Sequence, residues 1–166
     1  MTWLPFDLHP EYPPEGIPRA QLHARYGDPF HDRLRESFAA AGLAYNPPPE
    51  VVPNTMAALR VTELARERGL HAAVHDRLMD AYWAEGRNIG DSAELRALAV
   101  EAGLEETDVD EVLADDAYRD RVLACTAQAV QIGATGVPAF LLDERLLVLG
   151  AQPREVFERA LAQLGV

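Results

Sequence analysis

The stretch "GATGVPAFLLDERLLVLGAQP", residues 133–153, constrains the fold more than any other. It ends a pattern that holds for over a hundred residues. From Pro18 onward apolar residues recur at three- and four-residue spacing, the period of a helix face. At Pro138 the period becomes that of strands: "PAFLL", a short turn at Asp143-Glu144-Arg145, then "LLVLG". Length and composition predict a hairpin, although its turn lacks the favoured Asn-Gly. Proline in a strand loses a ladder hydrogen bond and is tolerated only at the first residue or at an edge. An X–Pro bond costs only about 0.5–1 kcal/mol to be cis. The expectation is a cis Val137–Pro138 bond that turns the chain sharply and leaves the Val137 N–H and C=O free to pair with a peptide.

The rest of the chain is punctuated clearly. "TWLPFDLHP" carries bulky residues on both faces and reads as a short strand, with Pro5 marking an edge or an end. "PEYPPEGIP" reads as a connection without structure of its own. "RAQLHARYGD" and "PFHDRLRESFAAAG" are predicted helices, the second with Phe30, Leu34 and Phe38 at four-residue spacing. "LAYNPPPEVVP" is a predicted loop. Asn54 or Thr55 is expected to cap "MAALRVTELARERG", with Met56, Leu59 and Leu64 buried and Gly69 as its stop. "LHAAVHDRLMDAYWAEG" buries Leu70, Val74, Leu78 and Tyr82. Asp91 and Ser92 open the next helix, and Thr107 the one after. A longer helix runs from about Asp116 to Ile132. Pro153 opens the last, which turns Val156, Phe157, Ala160 and Leu164 inward.

Composition removes several function classes. The 166 residues are 48% hydrophobic and 25% charged, as in an ordinary globular domain. The net charge is −12, and all fifteen basic residues are arginine. Phosphate backbones and anionic membranes repel such a chain, so neither nucleic acid nor membrane is an expected partner. Nine acids against one arginine lie in residues 101–120, read as a solvated helical face. No apolar run approaches the roughly 18 residues of a membrane span. "MTWLPFDLHP" has no basic start and no small-residue cleavage site, so the expected location is cytoplasmic. Cys125 stands alone, which rules out an internal disulfide or a cysteine-based zinc site.

A helix ending in "QIGATGVPAFLLDERLLVLGAQP", followed by an amphipathic helix, resembles the C-terminal half of a thioredoxin fold. More specifically, the chain resembles the DsbA-like family of FrnE type, thiol–disulfide oxidoreductases distantly related to kappa-class glutathione transferases. "WLPFDLHPEYPPEG" resembles that family's second strand, and "PNTMAALR" the start of its helical insertion. "MDAYWAEGRNIGD" and "TGVPAFLLD…VLGAQP" are the most specific pieces. Leu59 departs from the pattern, since members often carry histidine there. The resemblance implies an α/β fold with a thioredoxin-like core at residues 1–17 and 115–166 and a helical insertion at 18–114. It also implies a substrate-binding loop at Thr135, Gly136, Val137 and Pro138. The partners implied are a thiol- or disulfide-bearing protein or peptide, or glutathione, and a second copy of the chain. No cofactor is expected.

Members of that family carry a strand and a Cys-x-x-Cys helix before the segment resembling residues 2–15, about 30–40 residues by the usual element lengths. Redox cycling needs a thiolate at a helix N-terminus and a second thiol to resolve the mixed disulfide. Neither is in these residues, so the chain alone is expected to be inactive. Alternatives are a kappa-type glutathione-dependent isomerase or transferase and a non-catalytic peptide-binding module. Without a central strand, unpaired backbone groups cost about 1–3 kcal/mol each. Residues 2–8 are then expected to pair with the hairpin near Ala139–Leu142, to detach, or to recruit a strand from another chain. Cys125, inside a helix with Tyr118, Val122, Ala129 and Ile132 on its face, reads as a buried structural thiol. His71 and His75 have metal-ligand spacing, but Ala72 replaces the hydrolase glutamate and a third ligand is missing, so no metal is expected. Glu63 with Glu67, and Asp76 with Asp80, are expected on charged helix faces.

Overall fold

The computed structural model describes residues 1–46 and 49–165, without the side chains of 26 and 28–31. Pro47 and Pro48 of the predicted loop and the Phe30 side chain lie outside the described residues. The chain divides into two compact units, one of His9–Asp120 and one of Met1–Leu8 with Arg121–Val166.

The larger unit runs β1 (Ile17–Pro18), α1 (Arg19–Tyr26), α2 (Asp28–Ala40), β2 (Val51–Val52), α3 (Met56–Glu67), α4 (His71–Trp83), α5 (Ser92–Glu101) and α6 (Glu106–Ala114). Its core is helical and follows the spacing of the sequence. Val61, Leu64 and Ala65 of α3 meet Val74, Leu78 and Ala81 of α4, Leu95 and Leu98 of α5, and Val109 and Val112 of α6. Each set recurs every three or four residues, so one stripe per helix faces inward. Asp91 caps α5, accepting from the N–H groups of Ala93 and Glu94, both at 3.0 Å. At α3 the capping acceptor is Asn54 Oδ1, 3.0 Å from the Met56 N–H. Thr55 makes no side-chain cap.

Arg60 is 6% exposed and holds the far end of α6. Its guanidinium donates to the carbonyls of Val112 and Asp115, and at 2.8 Å to that of Ala117. Those carbonyls are what a helix C-terminus leaves unpaired, and a cation suits the negative end of the dipole.

The smaller unit contains most of α7 (Arg119–Gln131), then β3 (Ala139–Leu142), β4 (Leu146–Leu149) and α8 (Arg154–Leu164). β3 and β4 pair antiparallel with Ala139 opposite Leu149 and Leu142 opposite Leu146. The predicted hairpin is present. Its connection closes with the Arg145 N–H on the Leu142 carbonyl, 3.0 Å, and Asp143 and Glu144 both take positive φ. Phe140 packs edge-on to Phe157 of α8, centroids 5.0 Å apart. Ala160 is buried and Val156, Phe157 and Leu164 are half-buried, as the helical period predicts.

Several expectations need correction. Residues 2–8 form no strand and do not pair with the hairpin. Pro5 and Asp7 are buried at alternate positions, so the segment has the rhythm of a strand without a ladder. Nor is it detached. The Asp7 N–H donates to Thr126 Oγ1 at 2.9 Å, and that hydroxyl donates to the Val122 carbonyl. The proline-rich connection and the following loop each supply a two-residue strand, Ile17 opposite Val52 and Pro18 opposite Val51. Leu59 is half-buried, and α6 opens one residue before Thr107. Glu63 does not lie on a charged face: it is 2% exposed, with Arg66 3.1 Å away. Glu67 accepts the Tyr118 hydroxyl at 2.7 Å.

Candidate functional site: the free edge of the hairpin

The site begins where α7 stops. Gly133 takes φ +94 and its N–H closes on the Val130 carbonyl, while the Ala134 N–H reaches back to Ala129. This left-handed glycine ending is a common helix stop. Ala134 is buried and anchors the turn. Thr135, Val137 and Pro138 then run over the surface, with Val137 56% exposed. A Cβ on Gly136 would meet nothing within 4 Å, so the space above the turn is open. The Val137–Pro138 peptide bond is cis.

The ladder decides which backbone groups are available. The Gly150 N–H donates to the Pro138 carbonyl at 2.8 Å, so that pair is a hydrogen-bonded one. Bonded and non-bonded pairs alternate in an antiparallel ladder. Phe140 and Leu142 therefore point their N–H and C=O toward β4, and Ala139 and Leu141 point theirs away from it. Among the described residues no strand lies on that outer side of β3. Val137, two residues earlier, has no backbone hydrogen bond among the described residues. Ala139 and Leu141 thus offer two N–H and two C=O groups along one edge, and the exposed Val137, in the bend before the cis bond, adds its own N–H and C=O. Pro138, which has no N–H to give, faces the other way. The sequence points to Val137 and to an edge near Ala139–Leu142; that Ala139 and Leu141 are the residues facing outward follows from the register.

The other candidates do not join this edge. Cys125 lies within α7 and is half-buried, not buried as expected. The His71 and His75 rings stack at 5.8 Å and 9°, and burial, with Arg66 and His75 nearby, holds His71 below its usual 6.5. Among the described residues no three His, Cys, Asp or Glu side chains converge on a metal position. No helix among them is long and apolar enough to cross a membrane.

A family model for the DSBA-like thioredoxin domain matches residues 1–162. The chain belongs to that family. This DSBA-like chain is also similar to a crystal structure of a probable DsbA oxidoreductase from Streptomyces coelicolor, with 40% identity and a TM-score of 0.86. The match covers 95% of this chain and 72% of that one. It is 26% identical over 164 residues to the uncharacterized protein YwbO of Bacillus subtilis, covering 98% of this chain and 80% of YwbO. The fold is accordingly a DsbA-like thioredoxin fold, with the helical elements outweighing the strands.

Proposed function

We propose that these residues supply the substrate-gripping edge of a cytoplasmic thiol–disulfide oxidoreductase or isomerase of FrnE type, and that residues 1–166 alone do not turn over disulfides. The observation that carries this is the unpaired edge from Val137 to Leu141 in a chain of the DSBA-like family. An extended peptide adds to such an edge as a further strand, with main-chain hydrogen bonds giving affinity and alternate side chains giving preference. The exposed Thr135-Gly136 turn leaves room beside it for a bulky substrate cysteine. Exchange at that cysteine requires one thiolate to attack and a second to resolve. One half-buried thiol inside α7 cannot do both. A lone thiol also suits a reducing compartment.

The test is a cysteine-bearing extended peptide titrated into labelled protein and followed by amide shifts. The Val137, Ala139 and Leu141 resonances should move, and a peptide N-methylated at alternate positions should leave them still. Movement elsewhere with these three unchanged would refute the site. Insulin reduction by residues 1–166 should be absent; turnover that disappears in Cys125→Ser would show that the lone thiol is catalytic.

A further inference from the structure

The larger unit holds a cleft of about 140 Å³ between the C-terminal half of α3 and α6, bounded by Ala117 and Tyr118, which follow α6. Every residue lining it belongs to His9–Asp120. Leu64, Val112 and Ala117 supply apolar lining, and the Tyr118 side chain adds to it. The Tyr118 hydroxyl donates to Glu67 at 2.7 Å, which fixes the ring in place. The volume decides the size of the occupant. Pockets for cofactors and drug-sized ligands are about 300–1,000 Å³, whereas a cavity of about 150 Å³ takes a molecule the size of benzene. This cleft therefore takes one side chain or a molecule of similar size.

Charge decides its chemistry. Two arginines come near the cleft and both are engaged. Arg68 pairs with Asp108 at 2.6 Å, and the Arg60 guanidinium is held by the carbonyls of Val112, Asp115 and Ala117. The Asp115 carboxylate accepts the Ala117 N–H at 2.7 Å and lies 3.7 Å from Arg60. Glu111 differs: its exposed carboxylate makes no hydrogen bond or ion pair among the described residues. Around the cleft, His9–Asp120 holds eleven of the fifteen arginines and twenty-two of the twenty-seven carboxylates, a net charge of −11. An anion would meet that field and an uncompensated carboxylate. An ammonium on a carbon stem suits both parts of the site, because its methylenes lie on apolar surface while its charge stays at the rim.

We infer that this cleft binds a primary alkylammonium group, with the carbon stem against Leu64, Val112 and Ala117 and the charge at Glu111. The lysine side chain of a partner polypeptide has that form. Its compact charge suits a single carboxylate, whereas the planar fork of arginine suits a bidentate partner. None of these 166 residues is lysine, so neither they nor a second copy of them supplies the occupant. One exposed ion pair and a few buried methylenes make the binding weak, in about the millimolar range for the amine alone. The inference stands apart from the peptide reading: a chain that binds amine here and no peptide at β3 keeps this one and loses that one.

The test is an amide-shift titration of residues 1–166 with three probes: n-butylamine, a short N-acetylated peptide with one lysine, and the same peptide acetylated at that lysine. Butylamine and the lysine peptide should move the Leu64, Val112, Ala117 and Tyr118 resonances, and the acetylated lysine should leave them still. A response to butylamine without one to the peptide would support the same chemistry and assign the site to a small free amine. Glu111→Gln, a change on the exposed rim, should weaken binding about two- to fivefold. Ala117→Leu fills the cleft and should abolish binding, with the urea midpoint measured alongside so that lost folding is not taken for lost affinity. Equal shifts with the acetylated peptide, undiminished affinity in Glu111→Gln, or shifts confined to other residues would overturn the inference.

Discussion

At the scale of single residues, Arg60 and Glu144 carry the sharpest consequences. Arg60 is an arginine in a helical core, tolerated because three carbonyls at and just beyond the end of α6 accept its hydrogen bonds. Removing it leaves the buried Val112 carbonyl and two part-buried ones without this donor, and a buried unpaired acceptor costs about 1–3 kcal/mol. Arg60→Met should lower stability by about 2–4 kcal/mol, and Arg60→Lys should recover only part, since an ammonium cannot span the fork. Urea unfolding of the three proteins measures both. Glu144 has φ +53, a region that suits glycine and strains other side chains. Glu144→Gly should stabilise the hairpin by about 0.5–1 kcal/mol, read as a higher urea midpoint at constant slope.

At the scale of elements, the α3–α4 corner should respond to pH. His71 begins α4 after Leu70, which provides no side-chain cap. Burial is the first cause lowering its pKa, followed by Arg66 and His75, while Glu63 and Asp76 act in the opposite sense. The folded protein thus favours neutral His71, and the unfolded chain takes up the proton at about 6.5. The contribution to stability is present above 6.5 and is lost as pH falls through the lower folded value. The urea midpoint should decline on acidification from about pH 7.5 to 5, and His71→Gln should flatten that decline. An equal slope in the variant would assign the loss to other groups. Glu85 behaves similarly at lower pH. Hydrogen bonding from Arg77 lowers its pKa, so this pair weakens as pH falls through the carboxylate range, by a small amount because both groups meet solvent.

At the scale of the whole molecule, cohesion is uneven. The buried apolar cluster lies entirely within His9–Asp120. Among the described residues the other unit buries the hydrophobic Val122, Ala134, Val148 and Ala160, with no large cluster. Local opening follows density of buried contacts, so the two units should not open together. Native-state hydrogen exchange should show β3 and β4 amides opening at lower free energy than those of α3 to α6. Uniform protection across both units would contradict this unevenness.

Much of this was legible in the sequence because it depends on local periods. The helices announced themselves by three- and four-residue spacing, α5 by Asp91, and the hairpin by the change of period at Pro138. The Val137 edge was legible for the same reason, a proline at the mouth of an apolar strand. What the sequence could not decide were matters of partnership. Alternation in "TWLPFDLHP" reports an extended chain, but a strand also needs a neighbour to bond, and here Asp7 is held by a threonine on α7 instead. Glu63 reads as surface by its charge, and its burial follows from the packing of α3 against its neighbours, although Arg66, one turn along, is readable as its ion-pair partner. Arg60 looks like any helical arginine until the end of α6 is brought to it. Which backbone groups of β3 face outward depends on register, and register is set by the strand on the other side. Periodicity is written in the order of residues; hydrogen-bond partners come from across the chain, and tertiary structure alone supplies them.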